Sequence, residues 1–257
     1  FIATLLTSTL YASETRTDSL EKLLPTVSGG EKLELLLDLS RESVNQNAGK
    51  TILYSKMASA LSDSLDDQRA KAESFHLLGR ALKLQGEYDE ALRYADSSMT
   101  TYRDIGDRLR YISLINFQGL IHQSNNNLEM ASSLYQKAQN EILQSLQGDP
   151  DNDTLNEYLL TSKNNLGLIL ILDERYDSAI RYYEKLLKET EDAGSGNLHY
   201  ILGNLVYIYS QTGDYDRALE KAELLLEVNR ESGDRNLEAR SLMGIGNIHY
   251  YKGDYKK

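Results

Sequence analysis

Residues 78–92 read LGRALKLQGEYDEAL, and residues 213–219 repeat the second half of this stretch as GDYDRAL. Each copy has a glycine, a tyrosine two residues later and an alanine three residues after that. Phe75, Leu78 and Leu82 precede the glycine at the spacing of one helix face, and Tyr88 and Ala91 begin a second apolar stripe after it. The pattern predicts two amphipathic helices joined by a short turn.

The same pairing of helices recurs along the chain. A small residue in one helix is followed twelve residues later by an alanine in the next, and the first member recurs at intervals of 40, 40, 48, 39 and 40 residues. A glycine inside a helix costs about 1 kcal/mol relative to alanine, so we expect both positions to share one close contact. The pattern predicts about eleven or twelve helices in antiparallel pairs. The pairs are Gly79 with Ala91, Gly119 with Ala131, Gly167 with Ala179 and Val206 with Ala218, preceded by a divergent Leu39 with Thr51 and followed by Gly246.

Turn residues also recur between the helices. One turn position in each repeat holds Gly86, Asn126, Gly213 or Gly253, residues that adopt left-handed backbone at low cost, with Glu174 as the exception. Between repeats, Gly106-Asp107, Gly148-Asp149 and Gly233-Asp234 predict a helix end followed by an N-cap aspartate. The 48-residue interval contains an acidic insertion at residues 147–153, which predicts a longer surface loop.

These residues resemble the tetratricopeptide (TPR) consensus over residues 31–257. The resemblance implies an all-α fold of tandem helix-turn-helix repeats stacked into a right-handed superhelical solenoid, with about six repeats, the first divergent and the last truncated. A spacing near 40 exceeds the usual repeat of about 34 residues, so longer helices are expected. Such lengthened copies resemble the TPR regions that precede histidine-kinase or helix-turn-helix output domains in bacterial signalling proteins.

Composition excludes several classes of function. The net charge of −11 disfavours direct nucleic-acid binding, and the absence of cysteine excludes disulfides and thiol chemistry. The uncharged residues 1–12 are too short to span a bilayer but resemble the remnant of a signal peptide, which favours an extracytoplasmic location over a cytoplasmic one. Residues 13–30 are expected to form a linker or short helix.

No motif for catalysis, cofactor binding or metal binding is complete in this sequence. Gly49-Lys50-Thr51 lacks the earlier glycine of a phosphate-binding loop, and the aspartates of residues 149–153 lack the glycine and closing glutamate of a calcium loop. The four histidines fall in different repeats, and no serine has a nucleophile-elbow context. We therefore expect no enzymatic activity, no cofactor and no metal.

Solenoids of this type bind ligands on a concave face lined mainly by the first helix of each repeat. The stripe opposite the small residues is mixed, basic at one end, apolar in the middle and aromatic at the far end, as suits an extended or helical peptide. Family members that capture C-terminal carboxylates use paired Lys and Asn residues in adjacent copies, and the matching lysines are absent here. The predicted groove residues are His76, Arg80, Lys83, Asn116, Leu120, Gln123, Asn164, Leu168, Ile171, Tyr207, Ser210, Asn247 and Tyr250.

The sequence leaves three functional hypotheses. The first is a sensor or scaffold segment of a bacterial signalling protein, with a membrane tether or output domain outside this sequence. The alternative is a free-standing adaptor or chaperone-like assembly factor, and a third is the regulatory region of an enzyme whose catalytic domain lies elsewhere. The sequences flanking Phe1 and Lys257 would separate them. Because the sixth repeat has only its first helix, we expect the natural chain to continue with at least one more.

Overall fold

The computed structural model describes residues 16–192 and 198–254, and these residues form helices joined by turns. The predicted signal remnant at residues 1–12 lies outside them. Residues 16–23 are helical, and eleven longer helices follow in the described part of the chain, which confirms the all-α repeat fold. They are α1 (Gly29–Ser43), α2 (Ala48–Leu65), α3 (Gln68–Gln85), α4 (Tyr88–Asp104), α5 (Arg108–Ser124), α6 (Leu128–Leu146), α7 (Asp153–Leu172), α8 (Tyr176–Asp192), α9 (Leu198–Gln211), α10 (Tyr215–Glu231) and α11 (Arg235–Lys252).

The turns that follow α3, α5, α9 and α11 contain a residue with left-handed backbone, as the sequence predicts, whereas the turn between α1 and α2 contains none. Gly86 has φ +82°, Asn126 +57°, Gly213 +76° and Gly253 +87°. Glu174 adopts the same conformation at φ +55°, although its Cβ makes that conformation unfavourable. The turn geometry is therefore imposed by the packing of the two helices, and the glycines reduce its cost.

Replacing Glu174 with glycine is expected to stabilise the repeat formed by α7 and α8 by about 0.5 to 1 kcal/mol, because the strain at φ +55° is relieved. Glu174 is exposed, so the substitution removes no buried contact. Urea denaturation should show the midpoint rise. Gly213→Glu, the reverse change in the next repeat, should lower the midpoint by a similar amount; a neutral result for both would contradict the argument.

The ends of the repeats follow the predicted capping in two of three places. Asp107 accepts a hydrogen bond from the backbone N–H of Arg110 at 3.1 Å, and Asp234 caps α11 in the same way. The prediction at Asp149 is wrong, since the cap of α7 is Asn152, whose Oδ1 accepts from the N–H of Leu155 at 3.0 Å. The acidic insertion moves the helix start three residues further along the chain.

The chain divides into two compact units, Phe1–Pro150 and Asp151–Lys257. Unit 1 contains the helical residues 16–23 and α1 to α6. Consecutive helices pack on each other, and the first helix of one repeat also contacts the first helix of the next, α1 with α3 and α3 with α5. Leu20 and Leu24 of the N-terminal segment pack against the core of the first repeat, which contains Leu36 and Tyr54.

Unit 2 contains α7 to α11 and has its own core. Tyr183, Leu205, Tyr209, Ala218 and Ile248 belong to one buried cluster that joins α8, α9, α10 and α11. The first helices α7 and α9 are also in contact. Within residues 16–192 and 198–254, no helix combines the length and the apolar character that a membrane crossing requires.

Gly79, Gly119 and Gly167 make the close contacts that the sequence predicts, but their partners vary. A Cβ on Gly79 would lie 3.2 Å from the carbonyl oxygen of Ala91, as predicted. On Gly119 it would lie 2.5 Å from Cε1 of Tyr135, and on Gly167 it would lie 2.6 Å from Cζ of Tyr183. In these two repeats the nearest partner is a tyrosine four residues after the predicted alanine.

Candidate functional site

The predicted groove residues on α3 form a basic group in unit 1. His76, Arg80 and Lys83 are partly exposed and lie along one face of the helix. The ring of His76 packs edge-on against Phe117 of α5, with 5.1 Å between the ring centroids. Burial lowers the pKa of His76 to about 4, helped by the nearby positive charges of Arg80 and Arg110. The imidazole is therefore neutral at pH 7.

The predicted groove residues on α5 differ from one another in accessibility. Asn116 is buried at 7% exposure, so it contributes to the interior more than to a binding surface. Leu120 and Gln123 are half-buried, and Oε1 of Gln123 accepts a hydrogen bond of 2.7 Å from the hydroxyl of Tyr135. The exposed part of this face therefore begins at Leu120.

In unit 2 the predicted residues lie on α7, α9 and α11. Asn164 and Leu168 are half-buried, whereas Ile171 is buried at 6% exposure. Tyr207 of α9 is exposed, and the hydroxyl of Ser210 donates to the carbonyl oxygen of Val206 in its own helix. Asn247 and Tyr250 of α11 are exposed.

A cavity of about 310 Å³ lies between α7 and α9, entirely within unit 2. Its lining includes the predicted Asn164, together with Thr161, Asn165, His199 and Tyr200. His199 and Tyr200 lie with 3.9 Å between their ring centroids, and burial lowers the pKa of His199. The cavity therefore combines amide, hydroxyl and aromatic surface next to the predicted groove.

Asn164, which lines this cavity, forms an amide pair with Asn204 of α9. Nδ2 of Asn204 donates to Oδ1 of Asn164 at 2.9 Å and to the hydroxyl oxygen of Tyr183 at 2.9 Å. The Tyr183 hydroxyl in turn donates to the backbone carbonyl oxygen of Asn164, and burial raises the pKa of this phenol, so it keeps its proton. These bonds fix both amides. No other residue within 16–192 and 198–254 bonds to the amino group of Asn164 or the carbonyl oxygen of Asn204, so both are available for a ligand.

The sequence pattern missed Thr161, Asn165, His199, Tyr200 and Asn204. In each repeat, the predicted stripe began at the position equivalent to Asn164 and continued towards the C-terminal end of the first helix. Thr161 lies one turn earlier, in the part of α7 that the long repeat adds, and Asn204 stands one position away from the slot of Asn164. Neighbouring helices in a stack contact each other through residues at different repeat positions. Comparing the same position in successive repeats does not show such contacts.

Models of the tetratricopeptide repeat match three parts of the chain, residues 71–105, 164–196 and 197–257. The chain contains tetratricopeptide repeats. These repeats are interaction modules, so the chain is a TPR scaffold for protein interactions. A comparison with curated protein sequences gave no match.

Solved structures with similar folds include proteins of several kinds. BtubC (BKLC) from P. vanneervenii has a TM-score of 0.61 at 16% identity, over 87% of this chain and 91% of that chain. A STAND protein with a TPR sensor from Pyrococcus horikoshii has 0.67 at 18%, over 94% of this chain and 36% of that one. A Rap protein complexed with competence and sporulation factor has 0.64 at 14%, over 97% and 74%. At these identities the likeness shows the fold alone.

Proposed function

We propose that this chain is the peptide-sensing segment of a bacterial signalling protein, such as a histidine kinase or a transcriptional regulator. It binds an extended peptide or protein segment on the first helices of its repeats, and the binding changes the packing of neighbouring repeats. The observation that carries the binding role is the amide pair of Asn164 and Asn204 beside the α7–α9 cavity.

The chemistry of this pair suits a peptide backbone. One residue of an extended chain presents an N–H and a C=O on the same edge, and the pair offers one acceptor and one donor side by side. Main-chain hydrogen bonds of this kind supply affinity for many sequences, while an adjacent cavity selects a side chain. Because Tyr183 holds Asn204 in place, little side-chain entropy is lost on binding.

The signalling role draws support from the similar folds. The STAND protein carries its TPR region as a sensor, and the Rap protein was solved with a factor bound. This chain spans about a third of the STAND protein, as a sensor segment of a larger protein would. The alternative, a free-standing adaptor, is supported by BtubC, because the structural match with this chain covers 91% of that protein.

The experiment starts from peptides selected from a random octapeptide library on the immobilised chain, with affinity measured by fluorescence anisotropy. Asn164→Asp keeps the oxygen that accepts from Asn204 but replaces the free amino group with a carboxylate oxygen. We expect it to weaken binding at least tenfold, because an oxygen then faces the peptide carbonyl. Such a loss corresponds to about 1.4 kcal/mol.

The control is Asn140→Asp, which makes the same change of charge at an exposed position of α6. It should leave affinity unchanged, and thermal denaturation should show that both variants remain folded. Selected peptides that bind Asn164→Asp as tightly as the parent would contradict the proposed site. A library that yields no binder below about 100 μM would contradict the peptide-binding function itself.

A further inference from the structure

Two cationic side chains on α3 lack the acidic partners that most of their neighbours in unit 1 have. Arg80 and Lys83 are partly buried, three residues apart on one helix face, and neither forms an ion pair with any residue in 16–192 or 198–254. By contrast, Nη2 of Arg41 lies 2.8 Å from Oε1 of Glu73, and Lys71 pairs with Asp63. Arg80 and Lys83 are partly buried side by side, whereas other cations of unit 1 without an ion pair in the described residues, such as Lys56 and Lys137, are exposed.

The electrostatics show the cost of this arrangement. Burial lowers the pKa of Arg80, and burial together with the charge of Arg80 lowers the pKa of Lys83. The paired Arg41 shows the opposite, a raised pKa, because hydrogen bonds to Glu73 stabilise its charge. The positive charges of Arg80 and Lys83 are therefore partly shielded from water and are not balanced by a nearby carboxylate in the described residues.

The surroundings extend the basic group to α5. Arg110 lies close enough to His76 to lower the pKa of that imidazole, and it forms no ion pair within the part of the chain that the structure describes. Glu73, the acidic group that acts on His76, is held by Arg41. Arg80 and Arg110 therefore both lie near His76, and Lys83 continues the same face of α3 one turn beyond Arg80.

We propose that this face of unit 1 binds the acidic side chains of an extended peptide segment, so that the partner of this chain carries Asp or Glu residues at that point. The proposal rests on the peptide-binding function and adds the chemical class of the partner. A guanidinium can bind a carboxylate through two parallel hydrogen bonds, and partial desolvation strengthens the attraction. A long polyanion such as nucleic acid is disfavoured by the overall negative charge.

The test uses a labelled, acetylated octapeptide of alternating Gly and Glu, with its Gly-Gln counterpart as the matched uncharged probe. In about 50 mM salt, where charges interact over longer distances, we expect the Glu peptide to bind at least tenfold more tightly. The double variant Arg80→Gln/Lys83→Gln should abolish this preference. Lys56→Gln/Lys137→Gln changes the net charge equally at exposed positions of α2 and α6, and should preserve the preference.

A second readout reports on the place of binding. An acidic side chain beside Arg80 should raise the pKa of His76, measured by NMR titration with and without the Glu peptide, because it offsets the neighbouring positive charges. An unchanged titration at saturation would overturn the proposal. So would equal affinities for the two peptides, or equal losses in the two double variants.

Two further outcomes separate the alternatives. A Gly-phosphoserine peptide that binds while the Gly-Glu peptide does not would assign the face to phosphate and overturn the carboxylate proposal. If selected peptides still depend on Asn164 while the Gly-Glu peptide binds no more tightly than its Gly-Gln counterpart, only the partner class is wrong. If they depend on neither face, the proposed location of peptide binding on the first helices also fails.

Discussion

Gly119→Ala is expected to lower the free energy of unfolding of unit 1 by about 2 to 3 kcal/mol, although alanine is the better helix former. The added Cβ would lie 2.5 Å from the ring of Tyr135, a side chain with no exposed surface. The ring has no room to retreat without breaking the 2.7 Å hydrogen bond from its hydroxyl to Gln123. Overpacking therefore outweighs the gain of about 1 kcal/mol in helix propensity.

The control for this prediction occupies the same repeat position in the last repeat. A Cβ on Gly246 would meet no atom within 4 Å, so Gly246→Ala should stabilise α11 by up to about 1 kcal/mol. Urea denaturation of both variants, with circular dichroism at 222 nm, measures the two changes. Equal effects of the same sign would show that the glycines act through helix propensity alone and not through packing.

The repeat register is what the sequence predicts well. Gly79, Gly119 and Gly167 stand where close contacts are required, and the turns after them have left-handed backbone at the predicted positions. These features are predictable because they depend on local backbone conformation and on one helix pair. The partners of Gly119 and Gly167 were predicted less well, since Tyr135 and Tyr183 reach these glycines from one turn beyond the predicted alanine.

The candidate site was predicted only in part, for a reason that lies in the stacking. Asn164 was identified from its repeat position, but its function in the pair depends on Asn204, which belongs to the next repeat and to a different slot. Likewise, the sequence shows that Arg80 and Lys83 share a face but not that they lack acidic partners. The Asn164–Asn204 pair and the lack of acidic partners for Arg80 and Lys83 both depend on how adjacent first helices are shifted along each other. The spacing of the repeats in the sequence does not specify this shift.

The second large effect is expected from pH. The pKa of His76 is about 4 in the folded chain and near 6.5 when the imidazole is exposed to water. Between these values the unfolded chain binds a proton that the folded chain does not, so acid favours unfolding. The contribution of neutral His76 is complete above pH 6.5 and is lost progressively towards pH 4. The difference amounts to about 3 kcal/mol.

His76→Phe isolates this contribution. Phenylalanine fills a similar volume against Phe117 and cannot be protonated, whereas the carboxylates titrate equally in parent and variant. Relative to the parent, the variant should therefore gain about 3 kcal/mol in free energy of unfolding between pH 7 and pH 4, measured by urea denaturation at each pH. Arg80→Gln should move the titration of His76 upwards, because a neighbouring positive charge is removed. If the free energies of unfolding of the parent and of His76→Phe changed with pH in parallel, the argument would be contradicted. The imidazole of His76 would then titrate as it does in water, and it would not be a neutral side chain next to Arg80.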